Sequence, residues 1–170
     1  MKLIGLTGGI GMGKSAAAEI LRARGVAVVD TDELARELTA PGQSALAEIQ
    51  KEFGAQILVA DGKLNRAALA SFVFADETAR KKLEAILHPR IRERWLAQVA
   101  VWRAEQKSIA VVVIPLLFET SAETQFDRIV CVACSPATQS ARLAARGWAP
   151  AQIAARNAAQ WPVQRKMDAA

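Results

Sequence analysis

Residues 8–15 read Gly-Gly-Ile-Gly-Met-Gly-Lys-Ser, a complete G-x-x-x-x-G-K-[ST] sequence. The apolar run Leu3-Ile4-Gly5-Leu6 before it reads as a buried strand, and Ala16 to Leu21 after it reads as a helix. A loop between a strand end and a helix start can wrap its backbone N–H groups round a phosphate. Gly8, Gly9, Gly11 and Gly13 permit backbone angles and close approach that a Cβ would forbid. The helix start adds a partial positive charge directed at the anion. Lys14 is then in reach of the β- and γ-phosphates, and the Ser15 hydroxyl can ligate Mg²⁺. A glycine-rich turn without chemistry is the alternative, and the full spacing with both flanking elements argues against it. The segment is expected to bind a nucleoside triphosphate.

At 170 residues the chain fits one domain with room for a small inserted lobe. Hydrophobic residues make up 52% and charged residues 23%, which is ordinary for a globular protein and argues against disorder. The longest apolar run, Ile109 to Phe118, is too short to span a bilayer and contains Pro115. Glycines interrupt the N-terminal apolar residues at once, so no signal peptide is read, and a cytoplasmic setting without a membrane is expected. A net charge of +5 and a pI near 9.6 favour an anionic partner. The basic residues are scattered, however, and the aromatics do not alternate with them as a stacking platform for nucleic acid requires. Phosphorylated small molecules are the preferred partners.

Short, nearly continuous apolar runs at 2–6, 26–30, 109–114 and 128–133 fit strands covered on both faces in a parallel sheet. Helices are expected at 14–24, 137–146 and 151–165, the first two ending at Gly25 and Gly147 and the last opened by Pro150. This alternation, with a phosphate loop after the first strand, predicts a doubly wound α/β sheet. Residues 32–106 break it, reading as consecutive helices at about 32–39, 44–53, 66–74, 77–87 and 90–105. In the last of these Ile91, Trp95, Val99 and Trp102 recur at helical spacing, so the tryptophans read as core. The division expected is a nucleotide-binding core of 1–31 and 107–170, with a lid over about 137–165, and a helical substrate lobe of 32–106.

The second strand ends in Val28-Val29-Asp30-Thr31-Asp32, delivering two carboxylates at the edge of the sheet where ligands of such folds bind. An acid there can accept a proton from an attacking hydroxyl. Helix capping by Asp30 or Thr31 explains one of these acids but not easily both, and Asp32 is the preferred base. The strand Ile109–Ile114 runs into Pro115-Leu116-Leu117-Phe118-Glu119, where the acid arrives too late for a strict Walker B pattern. Arg142 and Arg146 stand four apart on one helical face, placed to neutralise charge on a transferring group and exclude water. His88-Pro89 reads as a ligand contact or, more simply, as a structural helix start. Cys131-Val132-Ala133-Cys134 invites a redox or zinc reading. On a strand, positions i and i+3 face opposite ways, and His88 is the single histidine, so inert thiols are expected.

Together these residues resemble the dephospho-CoA kinase family. The matching pieces are Gly5 to Ser15, Asp30-Thr31-Asp32 with Ala35-Arg36, Leu87-His88-Pro89, Pro115-Leu116-Leu117-Phe118-Glu119, and Arg142 to Arg146, in the same order over nearly the whole chain. The resemblance implies a P-loop fold with a helical CoA-binding lobe and an arginine-bearing lid. It implies transfer of the ATP γ-phosphoryl group to the ribose 3′-hydroxyl of dephospho-CoA. Gly11 to Ala16 would hold ATP, Ser15 would help hold Mg²⁺, Asp32 would orient or deprotonate the hydroxyl, and Arg142 would sit over the phosphates. His88, Leu116 and Glu119 would fall on the substrate side. Met12 stands where the family has a small polar residue, which matters little because backbone amides do the binding. The family pattern continues past a segment like Met167-Asp168-Ala169-Ala170 into a fifth strand and a final helix, so an edge strand and part of the adenine pocket are expected to lie outside this sequence. Another hydroxyl or phosphate acceptor remains open from the residues alone. A GTPase switch is disfavoured, since no Asn-Lys-x-Asp sequence is present.

Overall fold

The computed structural model describes the backbone of residues 1–170 and every side chain except those of residues 74 and 75. Two compact units are distinguished: Met1–Thr31 with Val99–Ala170, and Asp32–Gln98.

The first unit is built on β1 (Lys2–Thr7), β2 (Ala27–Asp30), β3 (Ile109–Val113) and β4 (Arg128–Cys131), all parallel, in the order β2-β3-β1-β4. β1 is central, with Leu6 opposite Val113 on one side and Thr7 opposite Cys131 on the other. Ala110 to Val113 are 2% exposed or less, the signature of a parallel strand buried on both faces. Helix α1 (Lys14–Ala23) follows β1 and contributes Ala18 to the core formed with Leu6, Val111 and Val113. Its chain exits through Gly25, whose φ of 78° is left-handed and open to glycine without strain. This is the three-layer α/β architecture of P-loop proteins, with a parallel sheet.

The second unit is helical. It comprises α2 (Thr31–Leu38) from Asp32 onward, α3 (Ser44–Phe53), α4 (Arg66–Ala75) and the greater part of α5 (Glu77–Ala104). Its core joins Leu38, Ala45, Ile49, Phe53, Leu69 and Ile86. The i, i+4 spacing of Ala45, Ile49 and Phe53 puts one face of α3 wholly inside it.

Two helix boundaries differ from the expectation, in opposite directions, and both concern proline. The expected helices 77–87 and 90–105 are one helix, α5, running through Pro89. An internal proline removes one backbone bond and pushes the preceding turn apart. The Arg90 guanidinium donates to the Ile86 carbonyl at 2.6 Å and pairs with Glu48, bracing the helix beside Pro89. The expected helix 151–165 is instead two, α7 (Pro150–Ala158) and α8 (Val163–Asp168), after α6 (Pro136–Ala145). Pro162 has no N–H to continue a helix and restrains the residue before it to extended angles.

β4 also stops short, at Cys131 rather than 133. Its last ladder contact is the Val132 N–H to the Thr7 carbonyl at 2.8 Å, and beyond Thr7 the neighbouring strand turns away into the loop. Cys134 therefore lies outside the strand, so the opposite-face argument does not govern it. Both thiols are free, and burial pushes the Cys131 thiol above its ordinary pKa, against the nearby Lys166 and Lys14.

Candidate phosphate-binding site

Residues 8–13 leave the middle of the sheet edge, because β1 has partners on both sides. Gly8 is pressed so closely onto β4 that a Cβ there would meet the Val132 carbonyl at 2.2 Å, at a φ of 145°. A Cβ on Gly11, at φ 70°, would strike the fully buried Leu143 of α6. Glycine is required at both places by contact as well as by angle. The turn closes with the Met12 N–H on the Gly9 carbonyl at 3.3 Å. Gly13, at φ 105°, precedes α1, and no side chain caps that helix. The first donors of a helix have no partner within it, so α1 presents them at the loop, where a phosphate oxygen is a suitable acceptor.

Side chains fix the loop from three directions. The Lys14 ammonium donates to the carbonyls of Gly8 and Gly9, each at 2.9 Å, which holds the charge against the loop. The Gln139 amide of α6 donates to the Ile10 carbonyl at 2.8 Å and also reaches Asn157 Oδ1 at 3.3 Å, so one side chain joins the loop, α6 and α7. The Cys134 N–H points at the Met12 sulfur, 3.3 Å away. Met12 is buried and thus has a second role besides its backbone amide. Arg142 lies with one guanidinium nitrogen 3.5 Å from the Gly11 carbonyl, over the Gly11–Gly13 side of the loop. Ser15 and Ala16 are exposed in the first turn of α1. Arg146 is exposed at the C-terminal cap of α6, and among the described residues no contact carries it to the loop. A cavity of about 290 Å³ flanks the loop, walled by Gly9, Met12, Gln139, Asn157, Gln160 and Trp161 to Val163.

Behind the loop, the Pro115–Glu119 turn is anchored by a residue with no signal in the sequence. Lys166 of α8 is wholly buried. Its ammonium donates to the Pro115 carbonyl at 2.7 Å and pairs with Glu119 at 2.8 Å. The same Glu119 oxygen accepts the Trp161 N–H at 2.7 Å, while Oε2 is buried with no hydrogen-bond partner. Trp161 stacks on Phe118 with centroids 5.5 Å apart, and Arg165 covers the indole at 3.4 Å. The Pro115 carbonyl also receives the Thr7 hydroxyl at 3.3 Å, which links the turn to the residue that opens the loop. Glu119 thus sits among Lys166 and Trp161, and the Leu116 carbonyl is engaged by the Thr120 hydroxyl at 2.8 Å.

The paired acids are placed differently from each other. Asp30 is buried at the end of β2, opposite Val113. The Thr31 hydroxyl donates to the Val113 carbonyl at 2.9 Å, so it staples the strand rather than capping α2. Asp32 follows in the first turn of α2 and is exposed. His88 is half-buried on α5, its imidazole held below its usual pKa chiefly by burial, with Glu84 acting the other way.

Against known proteins, the family model for dephospho-CoA kinase matches residues 2–170. The chain belongs to the dephospho-CoA kinase family. A dephospho-CoA kinase of Thiobacillus denitrificans is 49% identical over 94% of this chain and 79% of its own length. That of Bdellovibrio bacteriovorus is 43% identical over 98% of this chain and 83% of its own. The crystal structure of a Thermus thermophilus protein superposes with a TM-score of 0.82 at 34% identity, covering 97% of this chain and 83% of that one. A dephospho-CoA kinase from Campylobacter jejuni shares the fold, with a TM-score of 0.58 at 23% identity over 86% of this chain and 96% of that one. As a member of this kinase family, the chain is an enzyme of the phosphotransferase class. No helix among the described residues is long and apolar enough to cross a membrane.

Proposed function

We infer that this chain transfers the γ-phosphoryl group of ATP to the ribose 3′-hydroxyl of dephospho-CoA, giving coenzyme A and ADP. The observation that carries the reading is the family match from residue 2 to residue 170, with a phosphate loop at its head. The 3′-oxygen attacks the γ-phosphorus, the bond to the β-bridging oxygen breaks, and the hydroxyl proton passes to a carboxylate. We assign that carboxylate to Asp32. Its exposure, against the burial of Asp30, supports the choice.

Lys14 and the amides of Gly8 to Ala16 hold the triphosphate in this reading, and Arg142, already against the loop, neutralises charge on the transferring group. Arg146 joins it from the next turn. His88, Leu116 and Glu119 belong to the acceptor side. The exposed Ser15 hydroxyl is a hard oxygen of the kind Mg²⁺ takes. Ser15 would help hold Mg²⁺, which would supply positive charge to offset the negative charge developing on the phosphoryl oxygens. The reaction is placed in the cytoplasm, where thiols such as the free Cys131 and Cys134 stay reduced.

Purified protein given ATP, Mg²⁺ and dephospho-CoA should release ADP and form coenzyme A in equal amounts. Asp32→Asn should lower kcat by roughly 10²-fold or more, the usual contribution of a positioned base, while the KM for ATP stays near that of the parent. Phosphorylation of a different acceptor with none of dephospho-CoA would overturn the assignment.

A further inference from the structure

Asp32, Arg36 and Thr39 follow one another at helical spacings of four and three, so they lie on one face of α2 and its C-terminal continuation. Thr39 is 3% exposed, and its hydroxyl donates to the Ala35 carbonyl at 2.7 Å. That leaves the oxygen to accept, and it accepts from a guanidinium nitrogen of Arg66 at 3.0 Å. Arg66 is the first residue of α4, whose start is fixed by the Asn65 side chain accepting the Ala68 N–H at 3.0 Å. A capped helix and a buried hydroxyl thus deliver a second arginine to the face that already carries Arg36.

This placement is electrostatically unfavourable by itself. Burial and the like charge of Arg36 both work against the Arg66 cation, and Asp32 alone among the neighbouring charges favours it. An ordinary Asp-Arg pair at i, i+4 on an exposed helix explains Arg36. It does not explain why a second guanidinium is held on that face by the Thr39 hydroxyl. Guanidinium forks carried on one face match the oxygens of a phosphate or diphosphate, which such groups bind in bidentate fashion.

We propose that Arg36 and Arg66 form a subsite for the 5′-diphosphate of the acceptor, a nucleoside diphosphate ester, one helical turn from Asp32. The inference rests on the functional reading above and extends it to residues that reading does not use. A turn of helix rises about 5.4 Å, comparable with the span of one ribose. A ribose lying along α2 therefore offers its 3′-hydroxyl to Asp32 while the 5′-diphosphate meets the two arginines. The subsite fixes the end of the acceptor from which the hydroxyl is presented, and it distinguishes a nucleotide ester from an uncharged nucleoside.

The test is a steady-state comparison of Arg36→Gln, Arg66→Gln and Arg66→Lys with the parent, alongside melting temperatures and direct titration of dephospho-CoA. Each glutamine variant should raise the KM and the dissociation constant for dephospho-CoA tenfold or more, with the KM for ATP within twofold. Arg66→Lys should recover part of the loss, since charge remains but the fork does not. An arginine that only braces the unit would lower stability without this selective effect on one substrate. Should Arg66→Gln fail to fold, Arg36→Gln decides, because Arg36 is exposed. Dephospho-CoA constants within twofold of the parent in the folded variants, or a parallel rise for ATP, would refute the subsite. A parent that binds dephospho-CoA in an arginine-dependent manner yet transfers nothing to it would refute the functional reading and leave the subsite standing.

Discussion

Lys14→Ala should reduce phosphoryl transfer by roughly 10³-fold, the upper range for loss of one preorganised charge-stabilising donor. The ammonium is the cation fixed within the loop itself, 2.9 Å from two of its carbonyls. Its removal withdraws a positive charge from the place where triphosphate oxygens are expected. It also releases the Gly8 and Gly9 carbonyls, so the loop loses a brace at the end where Gly8 presses on β4. Both effects act in the same direction. The measurement is a single-turnover assay with ATP titrated separately, to divide the loss between binding and chemistry. The melting temperature should change little, because the lysine is half-exposed and its bonds are local. Turnover within tenfold of the parent would remove the lysine from the mechanism.

Lys166→Met should be strongly destabilising, costing about 3–5 kcal/mol, the usual penalty for removing one partner of a buried ion pair. The Glu119 carboxylate would be left behind with one oxygen already unpartnered, and the Pro115 carbonyl would lose its donor at 2.7 Å. For a chain of this length that corresponds to a fall in Tm of about 10 °C. The double variant Glu119→Gln with Lys166→Met should regain most of it, since no stranded charge remains and uncharged replacements of a buried pair are often neutral. Thermal unfolding of the three variants checks both statements. A double variant less stable than Lys166→Met would show that the pair stabilises through packing rather than through charge balance.

How far the sequence reveals this molecule depends on whether a feature is local. The phosphate loop is local: strand, glycines, lysine and helix start lie within about twenty consecutive residues, although the contacts that bar a Cβ at Gly8 and Gly11 come from Val132 and Leu143. The strands' apolar runs are legible too, most clearly in β3, because a strand buried on both faces must be apolar throughout. Pro89 and Pro162 show where locality fails. The same residue type interrupts one helix and not another, and proline's own backbone restriction does not distinguish the two cases. Lys166 is the extreme case. In Arg165-Lys166-Met167-Asp168 it reads as a polar helix end, and charged residues are almost never fully buried unless paired. Its partner lies 47 positions earlier, and only the fold brings the two together. Thr39 and Arg66 are invisible for the same cause, since their contact joins two helices separated by a turn and another helix.

The single amide of Gln139 has a consequence for how this protein responds to a nucleotide. It grips the crown of the loop and, through Asn157, the helix that begins at Pro150. Whatever steadies the crown also steadies that helix, with no new contact between helix and ligand. Occupancy at one end of the unit is thereby felt as stiffness along its outermost turns, and a ligand that leaves the crown slack leaves those turns slack as well.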